Sequence, residues 1–269
     1  MNSQKSLFLV PVPIGNLGDI TFRAVEVLKS VDFIIAEDTR YSLKLLNHLG
    51  IKKKMVSYFK PRENEKAKQI IDTFENPNVN SAAIITDSGT PAISDPGFIL
   101  VKKAIEKNIQ IIALPGPTAF VPALVSSGLD SRQFVFIGFS PRKKNELSQY
   151  LKKFASLELT LIFYESPHRI LEFLEIAALI FGDRPFALVK ELTKLNEKII
   201  RGNLGNALQL LKNEMLLGEM VIIIEGSSSA SKEAQETPLK LDSLDDLFQY
   251  FKETHQISKN QLKKIIMNR

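Results

Sequence analysis

Between Ile84 and Gly97 the chain reads Ile-Ile-Thr-Asp-Ser-Gly-Thr-Pro-Ala-Ile-Ser-Asp-Pro-Gly, and no other stretch constrains the fold as much. An apolar run, Ser81 to Ile85, stops abruptly in small and hydroxylated residues, and two prolines and two glycines then bend the backbone. Asp95 can cap a following helix and Pro96 suits its first position, because the N–H that proline lacks has no intrahelical partner there. A strand ending in such a turn leaves backbone N–H and C=O groups free beside the edge of an open sheet, where α/β proteins bind ligands. The same residues also suit a tight strand-to-helix turn that binds nothing.

The pattern recurs on both sides. Leu7–Pro11, Val31–Ala36, Met55–Tyr58 and Ile109–Leu114 read as strands, with helical apolar spacing over Thr21–Ser30, around Leu43 to Leu49, over Glu63–Phe74 and over Pro96–Lys107. Asp19 is a candidate cap for the first helix, and Gly50 closes the second. Pro115-Gly116-Pro117 interrupts this alternation, and the helix Thr118–Ser127 links the halves. Strands then follow over Phe134–Gly138, Thr160–Tyr164, Phe186–Val189, Ile199–Arg201 and Met220–Ile224. Helices fall near Lys144–Ala155, Pro167–Phe181 (capped by Ser166) and Leu204–Leu216. Close spacing of the last strands implies some antiparallel pairing. The reading is an α/β fold with a mostly parallel sheet in residues 1–116 and a mixed sheet in 117–226. A Ser/Ala/Glu-rich linker and short helices capped by Ser243 and Ser258 fill 227–269.

The chain has 269 residues, enough to bury a real core. It contains no cysteine, which excludes disulfides, a thiolate nucleophile and cysteine metal sites. No dinucleotide G-x-G-x-x-G, Walker A or G-x-S-x-G signature occurs, and His48, His168 and His255 are not spaced as a metal pair. No signal-like or bilayer-spanning apolar run is present, so a soluble, cytoplasmic protein is expected. A net charge of +5 leans weakly towards an anionic partner. What carries the chemistry is a set of polar loops, each at the carboxyl end of a strand: Pro13 to Asn16, Glu37 to Arg40, Thr86 to Asp95, Pro115 to Ala119, Tyr164 to Arg169 and Lys190 to Lys194. Gathered from two domains, these loops would build a cleft, although each alone is also ordinary turn chemistry.

Five of these runs, Val-Pro-Ile-Gly-Asn-Leu-Gly-Asp-Ile, Ala-Glu-Asp-Thr-Arg, the Thr86–Gly97 stretch, Pro-Gly-Pro-Thr-Ala and Phe-Tyr-Glu-Ser-Pro-His-Arg, are in one order and together resemble one family closely. The chain is similar over residues 7–226 to the small-subunit ribosomal RNA cytidine 2′-O-methyltransferases of the tetrapyrrole-methylase superfamily. The resemblance implies a two-domain α/β enzyme, a homodimer, that holds S-adenosylmethionine in the interdomain cleft without a metal. It implies as substrate a cytidine of the decoding region of 16S ribosomal RNA. By motif position, Pro13, Ser88, Gly89, Thr90, Ile93 and Ser94 would hold the methionine and ribose portions. Thr118 and Ala119 would face the same ligand, and Tyr164, Glu165 and Leu192 would enclose the adenine side. Tetrapyrrole-acting members usually carry Asp where this chain has Thr90, which points to the RNA branch; Ser88 stands where Ala is usual. Alternatives are a tetrapyrrole or corrin methyltransferase with an acidic or neutral cleft rim, and a non-catalytic RNA-binding relative.

Methyl transfer from a sulfonium to a ribose needs alignment of the 2′-oxygen, methyl and sulfur, and a route for the hydroxyl proton. Glu165 is the candidate base and Lys190 the candidate alkoxide stabiliser; each could equally serve in a structural salt bridge. His168 could orient its loop. Arg40, Arg62, Arg142, Lys143, Lys144 and Arg169 are candidate RNA contacts, as are Lys52 to Lys54, Lys60 and the terminal Lys259, Lys263, Lys264 and Arg269. Asp38 could position RNA with Arg40 or merely pair with it. Tyr58, Phe59 and Phe139 could stack on bases or pack in the core.

Overall fold

Short, uniformly apolar runs such as Phe33–Ala36 and Met220–Ile224 suit strands covered on both faces, and both form strands buried along their whole length. The computed structural model, which describes residues 4–228, places the first as an interior strand and the second as the central strand of two five-stranded sheets. Both sheets belong to one compact unit that ends at Ser227. The linker beyond residue 228, the caps Ser243 and Ser258 and the terminal basic cluster lie outside the described residues.

The first sheet contains β1 (Ser6–Leu9), β2 (Phe33–Ala36), β3 (Lys54–Ser57), β4 (Ser81–Ile85) and β5 (Gln110–Ala113), in the order β3-β2-β4-β1-β5. Every pairing in it is parallel. Ile34, Ala36, Ala83 and Ile85 pack against α1 (Phe22–Ser30) and α2 (Thr39–His48). The alternate residues Phe33, Ile35, Ala82 and Ile84 pack against α3 (Glu63–Thr73) and α4 (Phe98–Glu106). Each buried Ile or Leu contributes roughly 1.5–3 kcal/mol. Because β4 inserts between β1 and β2, the loop that leaves it is flanked by the loops leaving those two strands.

The second sheet contains β6 (Phe134–Phe139), β7 (Thr160–Glu165), β8 (Pro185–Lys190), β9 (Lys198–Asn203) and β10 (Met220–Ile224), in the order β6-β7-β10-β8-β9. Strands β6 and β7 run parallel, and the other pairs are antiparallel, as the strand spacing implies. Helix α5 (Phe120–Ser127) covers the face formed by Ile162, Ala187, Val189, Val221 and Ile223. Helices α6 (Lys144–Lys152), α7 (Ile170–Phe181) and α8 (Ala207–Leu211) cover the other face. Among the described residues no helix is long and apolar enough to cross a membrane.

Several helix starts differ from expectation. Helix α4 begins at Phe98 behind Gly97, so Asp95 does not cap it and Pro96 is not its first residue. The reason is that the backbone is left-handed at Ala92 and Ser94 (φ 68° and 65°), so the loop stays irregular through Pro96. Thr21 rather than Asp19 caps α1, its hydroxyl accepting from Ala24 N at 3.1 Å, while Asp19 sits in a 3-10 turn. Asp38 caps α2, so the Asp38-Thr39-Arg40 motif opens a helix. Ser166 and Pro167 precede a further turn, and α7 begins only at Ile170. The predicted Leu204–Leu216 helix is a 3-10 turn followed by the short α8.

Candidate functional site

The loop after β4 is held open at several points. Gly89 exchanges two backbone hydrogen bonds with Val12 at 2.9 and 3.0 Å, tying it to the loop after β1. Thr90 Oγ1 donates to Pro117 O at 2.8 Å, joining it to the turn before α5. Glu63 Oε1 accepts from Gly97 N and from the buried Tyr58 hydroxyl, both at 3.0 Å, while Lys60 Nζ donates to Ser94 O at 2.6 Å. Two non-glycine residues in the left-handed region within three positions is a costly arrangement, persisting only where surroundings enforce it, and such strain gathers at functional sites. On the second sheet, a bulge between Phe136 and Gly138 lets the loop approach closely: a Cβ on Gly138 would lie 3.0 Å from Ser94 Oγ.

Between these loops lies a cavity of about 330 Å³. Its lining draws on both sheets: Ile14 and Ser88 to Asp95 from the first, Thr118 and Ala119 at the start of α5, and Phe139, Tyr164 to Pro167 and Gly218 to Val221 from the second. Tyr164 packs edge-on to Phe136 and Phe139, with ring centroids 5.0 and 5.5 Å apart. Burial raises its hydroxyl, which also engages the Thr118 side chain. The cavity is thus apolar and aromatic on one side and hydroxyl-rich on the other, a form suited to a ligand with one flat and one polar end.

Asp95, read from the sequence as a helix cap, lines this cavity as a half-buried carboxyl. Burial, reinforced by the nearby charges of Glu37, Asp87 and Glu219 and opposed by Lys60, pushes its pKa up to about 7. Glu37 and Asp87 are themselves raised, chiefly by burial. Asp87 Oδ1 accepts from Asp38 N at 3.2 Å, so the ends of β2 and β4 are joined. Only the topology reveals this grouping: Glu37, Asp87 and Asp95 follow two strands adjacent in space but 49 residues apart along the β2-to-β4 register, Phe33 to Ala82 through Ala36 to Ile85.

Ser88, Gly89, Thr90, Ile93, Ser94, Thr118, Ala119, Tyr164 and Glu165 are brought together on this one cavity. Pro13 lines a second cavity instead. Leu192 packs partly buried beside the Ile162 and Val221 face. The Glu165 carboxylate is buried, accepting from Ser140 Oγ at 2.5 Å and Ser166 N at 2.8 Å and pairing with Arg169 Nη1 at 3.3 Å. Arg169 further donates to Pro141 O, so its guanidinium is engaged inside the fold. The Lys190 ammonium is turned to Glu214 (2.9 Å) and Met215 O (2.8 Å). Arg40 pairs with Asp38 through two hydrogen bonds, which hold the Asp38 carboxyl at about 2, and its side chain stays exposed. Arg62, Arg142, Lys143 and Lys144 are exposed, with Lys143 paired to Glu146 at 2.9 Å. Tyr58 is core, whereas Phe139 is 60% exposed beside the cavity. Among the described residues no group of side chains is placed to hold a metal ion.

Residues 6–208 match the family described as Tetrapyrrole (Corrin/Porphyrin) Methylases. A curated protein of Halalkalibacterium halodurans named Ribosomal RNA small subunit methyltransferase I is 45% identical over 222 residues, 82% of this chain and 76% of that protein. A protein of the same name from Hydrogenobaculum sp. is 43% identical over 230 residues, 85% of this chain and 99% of that one. The crystal structure of uroporphyrin-III-C-methyltransferase from Thermus thermophilus superimposes with a TM-score of 0.57 over 82% of this chain and 94% of that one; at 18% identity the likeness concerns the fold alone.

Proposed function

The chain belongs to the tetrapyrrole (corrin/porphyrin) methylase family, and on that premise we propose that it transfers a methyl group from S-adenosylmethionine to the ribose 2′-hydroxyl of a cytidine in 16S ribosomal RNA of the small ribosomal subunit. The reading rests on one observation above the rest. Four of the five motif loops that carry the likeness to the ribosomal RNA methyltransferases, all but Ala36 to Arg40, meet on a single cavity.

That cavity fits the cofactor by its donor set. Thr90, Ser94 and Thr118 offer hydroxyls to its polar portions, and Ile93, Phe139, Tyr164 and Met220 offer apolar surface to its adenine. The lining carboxylates of Asp95 and Glu219 suit a ligand bearing an ammonium and a sulfonium. Bound there, S-adenosylmethionine would supply an electrophilic methyl group.

The chain's own residues do the rest. Asp95 accepts the proton of the 2′-hydroxyl; a carboxylate poised near neutrality combines an ionised resting form with enough basicity for the task. Burial first, then the charges of Glu37, Lys60, Asp87 and Glu219, set its affinity for that proton. Glu165, held by Ser140 and Arg169, fixes the turn that carries Ser166 and Pro167 to the cavity wall. The exposed Arg62, Arg142, Lys143 and Lys144 supply phosphate contacts, so RNA affinity falls as salt rises. The proposed setting is the cytoplasm and the proposed assembly a homodimer.

The carboxylates near the cavity also favour a second reading, transfer to a tetrapyrrole, for which an acidic rim is expected. One experiment separates the two. Labelled methyl is offered with small subunits from an unmethylated source, or with a tetrapyrrole, and products are analysed. Label in 2′-O-methylcytidine is the expected outcome; label in the tetrapyrrole alone overturns it.

A further inference from the structure

A second cavity of about 300 Å³ lies behind the first. The two share walls at the level of single residues. Ile14 faces the first cavity while Pro13 and Gly15 face the second; Ser88 and Gly89 face the first while Thr86 and Asp87 face the second. Its remaining wall is α2, through Tyr41, Ser42, Lys44 and His48 among others.

Two observations mark it as built for a ligand. Ser42 lines it, is 2% exposed, and its Oγ has no hydrogen-bond partner among the described residues. An unpaired buried hydroxyl is costly, and a ligand that bonds to it recovers that cost. Tyr41 is 54% exposed, with the Lys44 ammonium over its ring at 5.8 Å from the centroid, so a base stacked on the opposite ring face would lie close to a cation. Asp87 adds an acceptor of the kind that recognises a base amino group.

We propose that this cavity holds a nucleotide of the RNA strand next to the one being methylated, its base stacked on Tyr41 and bonded to Ser42, its phosphate beside Lys44. The proposal rests on the reading that RNA is the substrate. Because the loops after β1 and β4 line both cavities with adjacent residues, one single strand can place neighbouring nucleotides in both. Single-stranded RNA is read in this way, by splayed bases on aromatic side chains.

The test is steady-state methylation of small subunits by the unaltered protein and by Tyr41→Ala, Tyr41→Phe and Ser42→Ala. Tyr41→Ala is expected to raise KM for the subunit about 5- to 100-fold, the range a lost base stack gives, with kcat little changed. Tyr41→Phe restores KM. Ser42→Ala raises KM about 2- to 10-fold without lowering the melting temperature, since no internal hydrogen bond is lost. Cofactor affinity, read by calorimetry, stays unchanged in all three. Unchanged KM in Tyr41→Ala and Ser42→Ala, with methylation by the unaltered protein intact, overturns the subsite alone. No methylation of RNA by the unaltered protein overturns the functional reading and the subsite with it.

Discussion

Glu165 and Lys190 stand in one register row of the second sheet, each directly opposite Met220 on the strand between them, yet their charged ends belong to separate networks. Glu165 is enclosed by Ser140, Ser166 and Arg169, and Lys190 by Glu214 and Met215. Residues opposite one another on adjacent strands project from the same face, so the row sets both on the side covered by α6, α7 and α8.

Glu165→Gln is therefore expected to act on stability. It removes the charge from a buried carboxylate that accepts two hydrogen bonds and faces a guanidinium, a loss of about 1–3 kcal/mol. Thermal unfolding should show the fall in Tm, while the pH dependence of methylation keeps its midpoint. A shifted midpoint with unchanged Tm would instead make Glu165 the base.

Lys190→Met should likewise lower Tm, because Glu214 keeps only its pairing with Lys198. Methyl transfer at saturating substrate should stay within about threefold, since the ammonium faces Glu214 rather than the cavity. A loss of about a hundredfold or more would return Lys190 to the chemistry.

Asp95→Asn should reduce kcat by about 10²–10⁴, the usual range for a lost general base, with cofactor affinity nearly unchanged. In the unaltered protein the rate should fall as pH drops through about 7, where Asp95 takes up its proton. Glu37→Gln removes a neighbouring negative charge that raises Asp95, so it should move this acid limb to lower pH. A rate profile that ignores both substitutions would exclude Asp95.

The same carboxyl links to stability with a definite sign. Folding raises its pKa from 3.8 to about 7, so the folded state holds the proton more tightly than the unfolded chain. Its contribution against folding is absent below about pH 3.8, grows as pH rises, and is complete above about pH 7. Melting curves should accordingly show Asp95→Asn gaining Tm over the parent at pH 8 and not at pH 4.

Gly97→Ala should disturb the whole loop. A Cβ there would lie 2.9 Å from that of Ala92, at a φ of 150° that side chains rarely adopt. The expected cost is about 1–3 kcal/mol, measurable as a lower Tm and weaker cofactor binding.

What the sequence made legible follows from how local each signal is. Apolar runs ending in polar loops marked every strand, since strands such as β2 and β10 are apolar on both faces and need no partner to be recognised. The loops that meet on the first cavity were readable for the same reason. The start of α4 was not, because the left-handed backbone at Ala92 and Ser94 lies in a loop held by bonds of Gly97 to Glu63, Ser94 to Lys60 and Thr90 to Pro117, all from elsewhere, and neither residue type advertises it. Asp95 was misread as a cap on that account. Its elevated proton affinity depends on burial and on carboxylates that include Glu37 and Glu219 from two other segments, and the commitment of Lys190 depends on Glu214, 24 residues on. Such pairings exist only in three dimensions.

The insertion of β10 between β7 and β8 has a consequence for how the protein is made on the ribosome. All five strands of the first sheet have been synthesised once Ala113 is reached, so that sheet can close while the remainder is still being translated. The second sheet cannot, because its central strand is the last of the described strands to emerge. Until Met220 to Ile224 arrives, β7 and β8 lack their common neighbour and the wall formed by Gly218 to Val221 does not exist. A nascent chain therefore carries half a binding site from the completion of the first sheet at Ala113 until Gly218 to Val221 emerges, and competence to bind arrives only then.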